Sequence, residues 1–254
     1  MKLTFLGTGT SQGVPVIACQ CNVCLSDNMK DKRLRSSVLI ESDNTNVVID
    51  TGPDFRQQML RENVQKLDAI IYTHEHKDHV AGMDDVRAFN FKLKMDMPIY
   101  ATQSVQNALK REFHYIFSSF KYPGIPKVLL KDINSESKFV IGDISFESIE
   151  LLHYKMKVLG FRINDLVYMT DVSYVDNKQI IKIMDCKILI ISALRKEEHL
   201  SHFNLDQAIE FSKKVRAKSV YLTHISHLMG LHNDVNLSLE SHINLAYDGM
   251  TIEF

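Results

Sequence analysis

The chain has 254 residues, 45% hydrophobic and 24% charged, with 30 Lys+Arg against 31 Asp+Glu and a formal net charge of −1. This length supplies ample core for one large domain. The near-zero balance leaves no global field to gather nucleic acid or an anionic membrane, although a local basic patch stays compatible with it. The opening run Met1-Lys2-Leu3-Thr4-Phe5-Leu6 is too short for an export signal, and no stretch nears the ~20 apolar residues of a membrane helix, so a cytoplasmic protein away from membranes is expected.

In chain order, residues 2–6 alternate as an opening strand, and a glycine-rich turn follows at Gly7-Thr8-Gly9-Thr10-Ser11-Gln12-Gly13. That turn lacks the Gly-Lys-Ser/Thr ending of a phosphate loop, which favours a turn of close backbone approach near a site. Three of the four cysteines then crowd together as Cys19-x-Cys21-x-x-Cys24, while Cys186 stands among apolar residues as an inert buried thiol. Without an export signal, the triplet reads as a thiolate metal site wanting a fourth ligand rather than as a disulfide framework. Strands are predicted at 37–41 and 46–50, followed by the stop Asp50-Thr51-Gly52-Pro53 and a helix over 55–63. A strand at 70–72, a helix over 80–91, a strand at 98–101 and a helix over 104–117 come next, and Tyr122-Pro123-Gly124-Ile125-Pro126 breaks the pattern. Beyond it, strands are predicted near 127–130, 138–141 and 144–152, with a hairpin of 159–163 and 166–169 around Asn164-Asp165. A helix over 175–185, a buried strand at 188–191, an amphipathic helix over 205–215 capped by Asn204 or Ser201, and a strand at 219–222 complete the reading.

The densest chemistry lies in Thr73-His74-Glu75-His76-Lys77-Asp78-His79, directly after the strand at 70–72. Imidazole and carboxylate suit zinc, manganese or iron, and a strand running into a ligand-rich loop places a metal at the end of a sheet. His153, Asp171 and His224 each follow an apolar run in the same way. Together these five His and two Asp exceed what one tetrahedral ion needs and suit two ions sharing a carboxylate. The expected division is His74, His76 and His153 on one ion and Asp78, His79 and His224 on the other, with Asp171 bridging. Glu75 and Lys77 should face away, and Asp50 should orient a ligand rather than be one. Arg87 and Arg195 are more readily structural than phosphate contacts, and His114, His232 and His242 stay unassigned.

His74-x-His76-x-Asp78-His79 with His153, Asp171 and His224 resembles the metallo-β-lactamase superfamily. The resemblance implies an α/β fold, a four-layer αββα sandwich of two mixed sheets flanked by helices, in a single domain over 1–254. The glycine turn extended to Val14-Pro15, the Cys triplet and Leu222-Thr223-His224-Ile225-Ser226-His227 are similar, more narrowly, to the PhnP-type cyclic phosphodiesterases. That similarity implies a structural zinc on Cys19, Cys21, Cys24 and His227, beside two active-site ions, Mn2+ or Zn2+. It also singles out His202 as the catalytic partner of Asp78; without it, His199 and His202 are hard to separate. The implied reaction is hydrolysis of small, cyclic phosphodiesters or nucleotides by a metal-activated hydroxide. The alternatives are a tRNA 3′-processing nuclease, a lactone or thioester hydrolase on the same metals, and a non-enzymatic scaffold. The absence of a long basic arm and the charge of −1 disfavour extended nucleic acid as a partner. A homodimer is the candidate assembly.

Overall fold

The computed structural model describes residues 1–120 and 123–254, so Tyr122, the first residue of the expected break, lies outside the described residues. Among the described residues, the strands are β1 Lys2–Gly7, β2 Ser37–Glu41, β3 Asn46–Ile49, β4 Ala69–Ile71, β5 Met97–Ala101, β6 Val128–Asp132, β7 Lys138–Ile141, β8 Ile144–His153, β9 Met156–Ile163, β10 Leu166–Met169, β11 Ile188–Ser192, β12 Ser219–Thr223, β13 Ile243–Leu245 and β14 Thr251–Glu253. They form two seven-stranded mixed sheets, ordered β14-β1-β2-β3-β4-β5-β6 and β13-β12-β11-β10-β9-β8-β7.

The alternation within strands explains the layering. Inward residues of the first sheet (Leu3, Phe5, Val38, Ile40, Val47, Ile49) share one core with Phe146, Phe161, Tyr168 and Ile190 of the second. The opposite face of the first sheet packs on helices through Phe55, Met59, Phe89, Val105 and Leu109. The second sheet does the same through Ile180, Ala208, Phe211 and Val235. Each large side chain so buried contributes roughly 1.5–3 kcal/mol. Strands covered on both faces lose the polar/apolar alternation, which is why β3, β4, β10 and β11 read as continuous apolar runs. The result is the four-layer αββα arrangement.

Several elements differ from the sequence reading in instructive ways. The helix expected over 80–91 divides into Lys77–Val80, a tighter 3₁₀ turn at Ala81–Val86, and Arg87–Leu93. The Gly82 N–H donates to Thr51 O at 2.8 Å, which ties this turn to the loop after β3. The helix expected over 104–117 breaks at Phe113 (φ −114°, ψ 41°) into Gln103–Glu112 and His114–Phe117. The elements that escaped periodicity include the helices Asn22–Leu25 and His232–Ser238 and the strands β13 and β14. Runs of three to seven residues are too short to display a clear period. The helix Leu205–Lys214 is closed by a capping box between Asn204 and Gln207, which settles the cap on Asn204.

Strand directions place the site. Strands β3 and β4 are parallel, and so are β10, β11 and β12. Strand β8 is antiparallel to β9, which is antiparallel to β10, so β8 runs with the parallel group. The segments after β3, β4, β8, β10 and β12 therefore carry Asp50, His74–His79, His153, Asp171 and His224 to one edge of the sandwich.

Candidate metal centre

Close backbone approach builds this edge. A side chain at Gly52 would lie 2.2 Å from Asp78 O, so only glycine lets the loop after β3 press against the motif loop. Asp50, Asp171 and His224 all hold left-handed backbone (φ 65°, 53° and 56°). Such conformations cost on the order of 1–3 kcal/mol each for non-glycine residues, and they cluster where the site turns side chains inward. The glycine turn runs alongside as well. Thr10 N–H donates to Ile225 O at 3.1 Å and Ile225 N–H to Thr8 O at 2.8 Å, joining the turn to the loop that carries His224.

Hydrogen bonds then set the imidazole tautomers. The fully buried Asp50 carboxylate accepts from Thr73 N–H (2.9 Å), from Thr73 Oγ1 (2.8 Å) and from His79 Nδ1 (2.7 Å). Because Thr73 spends its hydroxyl proton on Asp50, it accepts from His74 Nδ1 at 2.9 Å. The carbonyl of Ser201 accepts from His153 Nδ1 at 2.7 Å. In all three histidines Nδ1 is the donor, so Nε2 is the atom turned toward the centre. His79 Nε2 faces Asp78 Oδ2 and Asp171 Oδ2, each at 3.2 Å. Asp171 Oδ1 faces His224 Nε2 at 3.2 Å, so the two oxygens of one carboxylate address two different histidines.

The donor atoms of His74, His79 and Asp171 lie within 4.8 Å of one another, as do those of Asp78, His79 and His224 and those of His153, Asp171 and His202. The exposed ring of His76 stands 4.7 Å from that of His74 and 5.1 Å from that of His153, centroid to centroid. Lys77 turns away to Glu112, at 2.5 Å. Buried nitrogens without a hydrogen-bond partner include Nε2 of His74, Nε2 of His79 and both ring nitrogens of His224. Each such orphan costs about 1–3 kcal/mol unless something takes its lone pair. Converging lone pairs and carboxylates, buried and otherwise unmatched, fit divalent cations.

The charges agree with this. Burial works against ionisation of Asp171, yet His224 and His79 hold its carboxyl well below the usual range. Burial likewise opposes charge on His79, but Asp171, Asp50 and Asp78 hold it well above its ordinary value. Burial and the neighbouring His79 keep His74 well below its ordinary value, as a neutral donor. A proton on His79 thus stands where a cation would, and cation uptake displaces it. Removing the buttress should show this. Asp50→Asn is expected to weaken metal affinity about 10–100-fold, measured by chelator competition, with the fold retained by circular dichroism. Unchanged affinity would remove Asp50 from this role.

A second cluster lies one turn along the same loop. His227 Nδ1 is 3.2, 3.4 and 3.5 Å from Sγ of Cys19, Cys21 and Cys24. One ring nitrogen cannot form three hydrogen bonds. Three sulfurs and a nitrogen around zinc, with Zn–S about 2.3 Å and Zn–N about 2.0 Å, would stand about 3.5 Å apart, so the donor set fits that ion. Backbone N–H groups of Val16 and Cys24 donate to Cys24 Sγ and Cys21 Sγ at 3.3 and 3.4 Å, as metal-bound thiolates require.

Other sequence candidates fall outside the centre. Arg87 pairs with Asp84, and Arg195 donates to the carbonyls of Glu197 and Glu198, so both are held structurally. His232 is buried against Arg33, and His242 lies near Glu240. Thr73 and the Ser201 carbonyl are the contributors that the sequence reading missed. A hydroxyl between two ligands leaves a faint signal, and a backbone carbonyl leaves none.

Residues 45–225 match the family described as the beta-lactamase superfamily domain. Over 252 residues the chain is 36% identical to an octanoyltransferase of Porphyromonas gingivalis, covering 98% of this chain and 51% of that protein. The chain thus spans about half the length of that curated relative. The crystal structure of a diphosphatase from the PhnP family superposes with a TM-score of 0.93 at 38% identity, covering 100% of this chain and 96% of that one. The short form of human tRNase Z shares the fold, with a TM-score of 0.72 at 20% identity and coverage of 100% and 99%. The chain belongs to the metallo-β-lactamase superfamily and resembles the PhnP family.

Proposed function

We propose that the chain is a phosphodiesterase acting on small cyclic or nucleotide-sized phosphodiesters at a dinuclear centre. The observation that carries this reading is the convergence of four buried histidines and two aspartates on one sheet edge, with unmatched lone pairs beside the ring of His202. His74, His76 and His153 would hold one ion, and Asp78, His79 and His224 the other, with Asp171 between them. Mn2+ and Zn2+ both suit these ligands, and Cys19, Cys21, Cys24 and His227 would hold a structural Zn2+. When bound, the two ions supply Lewis acidity toward phosphoryl oxygens and make water a nucleophile near neutral pH. Two divalent charges against Asp78 and Asp171 leave a net positive site, which favours an anionic ester. A zinc-binding cysteine triplet beside the lone thiol of Cys186 suits a reducing, cytoplasmic compartment, and we treat residues 1–254 as one domain.

The chain's own residues divide the remaining work. Asp50, Thr73 and the Ser201 carbonyl hold His79, His74 and His153 in orientation. His202 is buried, with its ring 4.5 Å from that of His153 and 4.9 Å from that of His224. Burial, reinforced by His224, pushes the His202 imidazole down to about 3, so at pH 7 it is neutral with one N–H to offer. That N–H suits hydrogen bonding to the leaving-group oxygen as negative charge develops there. His202→Ala should therefore lower kcat about 10²–10³-fold for a ribosyl or alkyl leaving group, but less than about tenfold for p-nitrophenolate, which needs little help. Equal losses on both substrates would contradict this role.

A PhnP-family diphosphatase as a full-length structural neighbour supports a small phosphoryl substrate. The test is a panel assayed on purified, metal-analysed protein: bis-aryl phosphodiesters, 2′,3′-cyclic nucleotides, ribosyl cyclic phosphates, a tRNA precursor and a thioester. Turnover of the small diesters is expected. Activity confined to the thioester or to the tRNA precursor would overturn the proposal.

A further inference from the structure

A cleft of about 450 Å³ opens beside His202, and none of the seven proposed metal ligands lines it. It is lined by Ser173, Glu198, His199, Leu200, His202 and Gln207, and its size falls within the roughly 300–1,000 Å³ of small-molecule sites. Resting on the phosphodiesterase reading above, we propose that this cleft receives the leaving-group side of the substrate. We further propose that it selects an uncharged, hydroxyl-rich group such as a sugar over one bearing a second phosphate.

The lining carries the argument. Ser201 N–H donates to His199 Nδ1 at 3.3 Å, so the proton of that ring lies on Nε2, which remains a donor. Gln207 spends its Oε1 on the Asn204 N–H at 3.0 Å and keeps its amide NH₂. Glu198 adds a carboxylate, an acceptor only, and Leu200 adds an exposed apolar side chain. Donors and an acceptor together match hydroxyl groups, each of which donates and accepts.

A second phosphate fits less well, because the Glu198 carboxylate repels it. The position matters too. His202 lines this cleft and lies 3.8 Å from Asp171, so a group leaving from phosphorus at the centre toward the His202 N–H departs into the cleft.

The experiment uses two alkyl phosphodiesters that differ only in the leaving alcohol: a methyl riboside and the same riboside carrying a phosphate monoester. Wild-type, metal-loaded enzyme is expected to prefer the uncharged riboside at least tenfold in kcat/KM over the phosphorylated one. Glu198→Gln should narrow the preference over the phosphorylated riboside several-fold, and Glu198→Lys should narrow it further. In parallel, methyl riboside titrated into zinc-loaded protein should shift the ring resonances of His199 and the side-chain amide of Gln207. A preference ratio that Glu198 variants leave unchanged, or a preference for the phosphorylated riboside, would overturn the subsite while the phosphodiesterase reading stands. A wild-type enzyme that hydrolyses no diester would overturn both.

Discussion

Replacing Asp171 by asparagine is expected to lower kcat/KM for phosphodiesters at least about 10³-fold, a loss of roughly 4 kcal/mol in transition-state stabilisation, and to lower the active-site metal content with it. Asparagine is the informative choice. It keeps the side-chain volume and tolerates the left-handed backbone at φ 53° better than alanine, so the loss reports charge rather than strain. The two Asp171 oxygens face His79 and His224 at 3.2 Å each, and the residue is 2% exposed. A neutral amide there leaves Asp78 as the remaining carboxylate ligand of the pair and points an N–H at a cation. Circular dichroism and metal analysis of the purified variant separate site loss from unfolding. Activity within tenfold of wild type would show that Asp171 does not link two ions.

The second large effect concerns the cysteine cluster. Cys21→Ser should lose about one zinc per chain and, at a cost of about 3 kcal/mol, lower Tm by roughly 6–12 °C. Any loss of activity follows from the looser fold. Hydrogen bonding from the Cys24 N–H, opposed by burial and assisted by His227, lowers the Cys21 thiol to about 6, so it is a thiolate at neutral pH. Burial pushes Cys24 up to about 11, so that thiol ionises only with a cation beside it. Cys21 also caps the helix Asn22–Leu25 by accepting from Cys24 N–H, and serine caps helices well, so the substitution removes the ligand and preserves the cap. The surrounding core is small, built on Val14, Val23 and Cys24, too little to fix this segment unaided. His227 follows His224 by three residues, so a zinc on His227 steadies the loop that delivers His224. Full zinc retention and an unchanged Tm would refute the assignment.

The individual strands were legible because, buried on two faces, they appear as apolar runs at β3, β4, β10 and β11; their stacking as a four-layer sandwich was implied by the family resemblance and not by the runs. Ligand positions could be read because an imidazole or carboxylate one or two residues past such a run has few structural reasons to be there. The cap of the helix Leu205–Lys214 was legible only as Asn204 or Ser201, and the pairing of Asn204 with Gln207 in the structure decides between them. What stayed hidden was either too short to show a period, as with β13 and β14, or lay in atoms that every residue shares. The Ser201 carbonyl behind His153 is of that kind. So is the 3₁₀ turn at Ala81–Val86, shaped by contact with Thr51 and Gly52 some thirty residues upstream. The residue pattern alone did not separate His202 from His199, which the family resemblance did; in three dimensions His202 is buried between His153 and His224, whereas His199 is exposed at the cleft.

The most direct measurement is a metal titration of protein stripped by a chelator at the His/Asp centre, following hydrolysis of bis(p-nitrophenyl) phosphate as Mn2+ is added. Phosphodiesterase activity should be absent at the start, rise with added metal and level off at two bound Mn2+ per chain, with one zinc retained throughout. Full activity in the stripped protein, or saturation of the His/Asp centre without phosphodiester turnover, would contradict the two-ion phosphodiesterase.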